Sequence, residues 1–409
     1  MSLDPTDFPT GIAFEQARAI IQRVASSHRL PVERVALPRA HGRVLARDMI
    51  APIALQPFDN SAMDGYALRA GDLTGEENTA LQLVGEQFAG RALGLVISAG
   101  ECVRITTGAP LPQGADTVVI KENVRVDGDR VFVPADTPAG ANIRRAGEDA
   151  RAGDLVLEAG VALNAAQVAL AASLGIGQLD VVQRPTVAVF TTGDELVEPG
   201  LPLRPGEIYN SNRELLMGLL RSDGMEPTAW PTLPDDPARM MSMLRDAASS
   251  FDVVITCGAV SAGEKDHIPQ LLQAHGQVHF WKVRMKPGMP LLFGQLQRAQ
   301  FLGLPGNPVS VLATWLTLGR GLLDGLQDRT DPRPRLHAQL TSALDKPHAR
   351  REFVRGCLRH DDDGVLRVTP DPGVGSHRLN AAARADALIV VAEGPRQLRV
   401  GDVVEVLAY

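Results

Sequence analysis

The sequence predicts a multidomain α/β protein, in which a doubly wound α/β domain is joined to a β-rich inserted domain, a helical or mixed domain and a small C-terminal β-barrel or sandwich. Three observations carry this reading. Strand and helix patterns alternate from residue 185 to residue 328, short β-rich runs separated by Gly and Asp fill residues 45–143, and residues 332–409 carry only strand signals. A length of 409 residues allows two to four domains at about 150 residues each.

Composition narrows the class. Hydrophobic residues make up 44% of the chain and charged residues 22%, which excludes bulk disorder. Lys and Arg number 41 against 48 Asp and Glu, a net charge of −7, and aromatic residues are only 4%; a nucleic-acid surface is not expected. No apolar run approaches the ~18 residues of a membrane span, and MSLDPTDFPT lacks the basic and apolar regions of a signal peptide. A cytoplasmic protein is expected. Cys102, Cys257 and Cys357 lie far apart without a C-x-x-C, so they read as small buried hydrophobes rather than as a disulfide framework or zinc site.

Each element follows from local pattern. Phe14, Ala17, Ile20, Ile21 and Val24 recur at helical spacing after Thr10, the expected N-cap. LQLVGEQF, ECVRITT, DTVVIKENVRV and RVFVPA read as strands, the last two joined as a hairpin through Asp127 and Gly128. DLVLEAG, an Ala-rich helix from about Asn164 to Gly175, and QLDVVQ are expected to return and pack on the opening helix. Residues 1–44 and 144–184 would then form one discontinuous domain, interrupted by residues 45–143. In residues 185–328, TVAVFTT, SNRELLMGLLRSDG, DDPARMMSMLRDAASS, FDVVITCG and FLGLPGNPVSVLATWLTLGRGLL alternate strand with helix. Asn210 or Ser211 is the expected cap of the first helix and Asp235 or Asp236 that of the second. RLHAQLTSAL, REFVRGCLR, ALIVVAEG and DVVEVLAY supply the strands of residues 332–409.

Three loops that follow strands, TTGDELVEPG, CGAVSAGEKDH and GLPGNP, should converge at the carboxyl ends of a parallel sheet. Gly258 and Gly263 free backbone amides to turn toward a ligand, and Asn307 and Pro308 open a helix whose N-terminus favours an anion, so a phosphate site is inferred. Gly-Pro turns that merely end strands are the bland alternative. GAVSAGEK misses the P-loop because Glu264 holds the Lys position and Lys265 the Ser/Thr position. AVSAG misses the nucleophile elbow, H-E-x-x-H is absent, and TTGDEL has one Gly where a dinucleotide fingerprint needs three.

In WKVRMKPGMP, Lys282, Arg284 and Lys286 share one face if the segment is a strand, which points either to bound anions or to a solvated edge. Glu195, Asp235 or Asp236, and Asp266 fall at strand ends or helix starts nearby. Carboxylates beside cations suit a hydrated Mg²⁺ bridged to substrate phosphates, with helix capping as the alternative for Asp235 and Asp236. In PFDNSAMDGYAL, Asp59, Asn60, Ser61 and Asp64 crowd a D-G turn. Phe58 and Met63 look exposed there, so a binding surface within the chain or between subunits is the alternative to simple turn chemistry. Thr107 and Asp149 sit in similar turn contexts.

Taken in order, PFDNSAMDGYA, RITTGAPLPQGADTVV, RRAGEDARAGD, TTGDEL, GEIYNSNR, VSAGEKDH, KPGMP, GLPGNPVS and GSH resemble the molybdopterin molybdenumtransferase (MoeA) family from about residue 10 onward. That resemblance implies insertion of molybdate into adenylylated molybdopterin with Mg²⁺-dependent release of AMP. It also implies an elongated homodimer with a composite active site, a molybdopterin-binding α/β domain over residues 185–328, and a C-terminal β-barrel over 332–409. Residues 1–44 with 144–184 would be the dimerisation domain.

The resemblance carries functional acids onto Asp59, Asp149, Glu195, Asp235 and Asp266, with Thr107. It carries basic positions onto Lys282, Lys286 and Arg355, and a further site position onto Ser376. Pro287 and Ser310 fall where the family holds molybdate, and Gly258, Ser261, Gly263, Gly306 and Asn307 in the pterin-phosphate loops. Asp266 and Glu195 are the implied metal ligands. The family often has KPGKP, so Met289 removes a cation that Lys265 would offset. Substrate sulfur holds the molybdenum, and no protein Cys is required. Molybdopterin adenylyltransferase and molybdoenzyme maturation proteins are implied partners. The alternative is a scaffold like the related gephyrin domain, with vestigial molybdopterin binding.

Overall fold

Val187–Thr191 and Val253–Cys257 are buried at every position, as strands covered on both faces must be, and they are neighbouring interior strands of a seven-stranded sheet. The computed structural model describes residues 8–409 except Thr74, Glu76, Glu77, Ala262, Glu264, Lys265, Pro372 and Val374. Glu264 and Lys265, invoked above, therefore lie outside the described residues.

The strand order is Thr10–Ile12, Gln277–Val283, Leu292–Leu296, Ala299–Leu304, Val253–Cys257, Val187–Thr191 and Thr228–Ala229. The last four run parallel, but Leu292–Leu296 is antiparallel to both of its neighbours. The sheet is mixed rather than wholly parallel. Only Gln297 and Arg298 separate Leu296 from Ala299, and so short a loop can join strands only antiparallel. Helices cover both faces, as a doubly wound domain requires. Phe14–Ser26, Ser211–Ser222 and the helical run through Pro308–Thr314 and Arg320–Leu326 share one core, while Pro237–Ser250 and Ile268–His275 share the other.

Thr10 is not a cap. Thr10–Ile12 pairs in parallel with the sheet at Trp281 and Val283, and the helix begins after Ala13 without a side-chain cap. Phe14–Ser26 then packs on Arg320–Leu326 of the α/β layer rather than on residues 144–184. The early and returning segments meet instead through the antiparallel pair Val32–Ala36 and Gln178–Val182. Ala165–Ser173 packs in that cluster, its start fixed by a reciprocal capping box between Asn164 and Gln167.

The inserted segment forms a six-stranded sheet, and Arg125–Asp127 pairs with Arg130–Pro134 as the expected hairpin. DTVVIKENVRV is broken in two by a turn at Lys121–Asn123. The C-terminal strands close into a barrel because Arg351–His360 pairs with both Leu366–Pro370 and Ala387–Val391. Gly356 lies on the crowded inner wall, where a Cβ would come within 2.6 Å of Val368 and 3.0 Å of Ile389.

Asp223 ties these parts together. Only 2% of its side chain is exposed; it accepts the Trp315 indole N–H at 2.8 Å and pairs with Arg320 and with Arg333 of the linker into the barrel. Asp223→Ala would leave the Arg320 guanidinium and the buried Trp315 indole N–H without their partner, while Arg333 keeps Asp324 at 2.9 Å, so it should lower stability by about 3 kcal/mol. Loss of the exposed Arg18–Glu15 pair should cost under about 1 kcal/mol. Calorimetric unfolding of the two variants should separate them clearly.

Candidate functional site

The three loops do converge. They line one wall of a cleft of about 1380 Å³, whose opposite wall is the barrel. Gly258 has φ +101°, and a Cβ there would lie 2.3 Å from the Thr192 hydroxyl, so the loop after Val253–Cys257 passes closely under the one after Val187–Thr191. Asp266 closes the same loop by accepting the Gly263 amide at 2.7 Å through Oδ2. Asp236 caps its helix, accepting from Ala238 and Arg239 at 2.9 and 3.1 Å, while Asp235 faces the cleft with Glu195 and Asp266. Cys257 sits at the floor, and burial pushes its thiol up to about 12, so it stays protonated.

The helix entry at Pro308 differs from expectation. Val309 donates its amide to the Ser376 carbonyl at 3.2 Å, and Ser310 and Val311 donate to Asn307. The amides expected to receive an anion are thus already occupied. Asn307 instead holds the barrel loop, its side-chain amide donating to the Ser376 hydroxyl at 3.0 Å.

Lys286 reaches the cleft because its strand leaves the α/β sheet. Met285–Lys286 pairs in parallel with Arg351 and Glu352 at the barrel edge. Lys286 Nζ lies 2.8 Å from Glu352 Oε1, and the other Glu352 oxygen lies 3.1 Å from His348 Nε2. Burial lowers the His348 pKa against the opposing pull of Glu352, so the imidazole is neutral at pH 7. Beneath them Lys346 is fully buried, donating to the carbonyls of His348, Arg350 and Gly394.

Lys282 does not join Lys286. Its φ of +66° breaks the two-residue alternation, and its ammonium lies 4.1 Å from the centroid of the Trp281 ring, outside the cleft lining. Arg284 turns toward Glu393 at 3.8 Å. Arg355 lines the cleft, but its fork is committed to the protein: Nε donates to Asp371 at 2.9 Å, Nη1 to the Gly375 carbonyl at 3.1 Å, and Nη2 to the Gly373 carbonyl. Its direct work is to hold the loop that carries Ser376.

Gly258, Ser261, Gly306, Asn307, Pro287 and Ser310 all line the cleft, and Met289 stands at its rim, 41% exposed. Asp59, Thr107 and Asp149 do not. Asn60–Ser61 pairs with Ile143–Arg144, which brings Asp59 onto the Arg145 guanidinium at 2.7 Å and the Ala146 amide at 2.8 Å. The Ala146 amide and then Arg145 hold the Asp59 carboxyl below its usual range. Thr107 donates through both its amide and its hydroxyl to Asp64. Phe58 and Met63 beside them are exposed, as their sequence setting predicts. Sequence reasoning missed Arg350, Glu352 and His348; the only trace was the charged start of REFVRG, read as a plain strand.

Burial would raise the Asp371 carboxyl, yet the Gly373 amide and Arg355 outweigh it and hold the pKa below the ordinary ~3.9. A depressed acid contributes stability above its unfolded pKa and loses it as pH falls through the folded value. Protection of the Gly373 amide, bound to Asp371 at 2.9 Å, should therefore persist from neutrality to about pH 4 and fall below it. In Arg355→Ala it should already be lost at pH 7, as hydrogen exchange would show.

Three family models match the chain: the MoeA N-terminal region (domain I and II) over residues 12–175, a probable molybdopterin binding domain over 188–325, and the MoeA C-terminal region (domain IV) over 337–409. A molybdopterin molybdenumtransferase of Haemophilus influenzae is 39% identical over 373 residues, covering 90% of this chain and 92% of that protein. Molybdopterin molybdenumtransferase 2 of Mycobacterium tuberculosis is 39% identical over 385 residues, covering 91% and 92%. The crystal structure of a molybdopterin biosynthesis moeA protein from Pyrococcus horikoshii OT3 superposes with a TM-score of 0.84 at 27% identity, covering 97% of this chain and 100% of that one.

Proposed function

The chain belongs to the MoeA family of molybdopterin molybdenumtransferases and is an enzyme of molybdenum cofactor biosynthesis; on that premise we propose that its cleft inserts molybdate into adenylylated molybdopterin and releases AMP. The observation that carries the proposal is the pairing of the two walls. Carboxylates of Glu195, Asp235 and Asp266 face a barrel edge to which Lys286 is fixed by backbone pairing, with the hydroxyl of Ser376 beside it. No observation favours the scaffold alternative.

Molybdate is a dianion and the substrate carries a pyrophosphate, so binding both requires positive charge and hydrogen-bond donors in a partly dry site. Lys286 gives one donor to Glu352 and retains two for a ligand. Pro287 and Ser310 shape the floor beside it, and Arg355 acts by holding the Ser376 loop. Hydrolysis of the adenylate consumes one water, the phosphoanhydride breaks on the AMP side, and a carboxylate, Asp266 or Glu195, orients that water.

Among the described residues no three metal-capable side chains gather. This fits Mg²⁺, which usually takes one or two carboxylates together with substrate phosphates. Asp266, whose Oδ2 accepts the Gly263 amide and whose Oδ1 has no hydrogen-bond partner among the described residues, and Glu195 would hold it. Bound there, Mg²⁺ would offset phosphate charge.

The proposal includes a homodimer in which a second copy brings Asp59, Thr107 and Asp149 to the cleft. That these residues lie outside the lining of their own chain's cleft supports it. It also includes a cytoplasmic location, supply by molybdopterin adenylyltransferase and delivery to molybdoenzyme maturation proteins. No helix among the described residues is long and apolar enough to cross a membrane.

Purified protein given adenylylated molybdopterin, molybdate and Mg²⁺ should release AMP. Asp266→Asn keeps an oxygen for the Gly263 amide but loses the charge, so release should fall by ~10²-fold while pterin binding survives. Parallel loss of both would assign Asp266 to loop structure alone. For the composite site, mixing Asp59→Asn with Lys286→Ala chains should restore part of the activity through heterodimers, each with one intact site. A fully active monomer in sedimentation would refute it.

A further inference from the structure

The inserted domain displays an apolar loop to solvent and holds it rigidly. Residues 88–96, FAGRALGLV, follow the strand Asn78–Gln87, and all but Leu95 are exposed. Phe88 is 49%, Leu93 61% and Val96 59% exposed. Gln87, only 3% exposed, pins them: its side-chain amide donates to the carbonyls of Phe88 at 2.8 Å and Arg91 at 3.1 Å and accepts the Leu93 amide at 2.9 Å. At the far end the Leu95 carbonyl accepts the Gln113 amide at 3.0 Å, and Ile97 donates to the Gln113 carbonyl at 3.0 Å. Large apolar side chains fixed in water are unfavourable for an isolated chain, whereas a surface ordered beforehand loses little entropy on docking.

The loop is stitched to the segments of Asp59 and Thr107. The Thr106 hydroxyl accepts the Ala89 amide at 3.0 Å, Gly108 donates to the Ser61 carbonyl at 2.8 Å, and Leu111 donates to the Asp59 carbonyl at 2.9 Å. A second exposed apolar surface lies at the cleft mouth. Leu201, Leu203, Ile208 and Tyr209 are all exposed there, and the last two line the cleft. The Tyr209 hydroxyl donates to the Leu201 carbonyl at 2.9 Å and keeps that segment in shape. Since both surfaces are exposed, neither covers the other within one chain. Charge is complementary as well. Arg91 is the single charge of residues 88–98, while the Ile208 amide donates to the carbonyl of Glu195, whose carboxylate stands on the cleft wall with that of Asp266.

We propose that residues 88–96 of one copy dock on residues 201–209 of a second copy and close the mouth of its cleft, with Phe88 and Leu93 as apolar anchors and Arg91 turned toward the carboxylate wall. The inference rests on the composite site proposed above and adds to it a cover that Asp59, Thr107 and Asp149 do not supply. In a two-fold pair the contact is made twice, so each chain gives its loop and receives the other's. Aromatic, aliphatic and Arg side chains are the usual anchors of such contacts. A cover of this kind keeps bulk water from a site whose reaction consumes one water, and it strengthens the electrostatics inside.

Hydrogen exchange of the full-length protein tests this without any variant. Measured above and below the concentration at which the dimer dissociates, residues 88–96 and 201–209 should both exchange more slowly in the dimer, and the hairpin at 125–131 should not. Equal exchange of the two segments in both states would overturn the proposal. Phe88→Asp with Leu93→Asp leaves the backbone bonds of the loop in place, so the dimer Kd should rise and AMP release fall, each about tenfold or more. Val126→Asp, on an exposed residue of the edge hairpin, should change neither. Mixing the double variant with Lys286→Ala chains should restore part of the release, because one cleft then has its own lysine and the other copy's loop. No restoration would place the action of the loop within its own chain and overturn the proposal. Parent-like dimerisation and release by the double variant would overturn the docking alone, the composite site standing if Asp59→Asn and Lys286→Ala chains still complement each other. A fully active monomeric parent would overturn both.

Discussion

The short parallel pairing of Met285–Lys286 with Arg351–Glu352 is the constraint from which the cleft follows. It makes one segment of the α/β chain an edge strand of the barrel, so the two walls are joined by backbone. Side-chain preference alone would leave them free to slide. A second tether, from Asn307 and Val309 to Ser376, links the walls at the helix entry. With the backbone fixed at both places, side chains on the two walls face each other at a set separation. That is the preorganisation a site for two anions needs.

The same junction governs the charges. Lys286 is held against Glu352, and Glu352 is shared with a neutral His348, so the cation and its counter-charge are both oriented before a ligand arrives. Among the described residues Lys346 below them has no carboxylate partner, and it is satisfied by three carbonyls. Those carbonyls belong to residues 348, 350 and 394, so one buried ammonium gathers the turn before the strand and a distant loop into a single unit. Burial lowers its pKa, but three acceptors favour the charged form, and the turn beneath the cleft depends on that charge.

What the sequence made legible were features that report on themselves. The alternation of residues 185–328, the start of the Ala-rich helix near Asn164 and the Asp127-Gly128 hairpin depend on neighbours a few positions away. So does the convergence of the three loops, once a sheet with strands ending together is assumed. Features set by distant partners were not legible. Thr10 carries an N-cap signature, yet pairing with Trp281 and Val283 draws it into a strand. Period two placed Lys282 with Lys286, but a left-handed residue at Lys282 turns it onto the indole of Trp281. An arginine fork suits an oxyanion on chemical grounds alone. Whether it is free to bind one is decided by Asp371 and the carbonyls it meets, and no local pattern encodes those contacts.

In the proposed composite site, Asp59, Asp149, Glu195, Asp235 and Asp266 would pose an electrostatic problem for any anionic substrate. Asp59 meets it by pairing with Arg145 and the Ala146 amide, which hold it ionised while spreading its charge into donors of its own segment. Glu195, Asp235 and Asp266 stand on a wall whose only lining cations among the described residues are across the cleft. At about 4 Å, like charges repel by ~1 to 4 kcal/mol for effective dielectrics of 80 to 20. A phosphate pressed directly against that wall would be disfavoured by an amount comparable to a good hydrogen bond. Under the proposed function the walls would therefore impose a polarity on the ligand: its bare oxyanion oxygens would face the barrel edge at Lys286, and the side toward the carboxylates would have to bring a water, a hydroxyl or a metal ion.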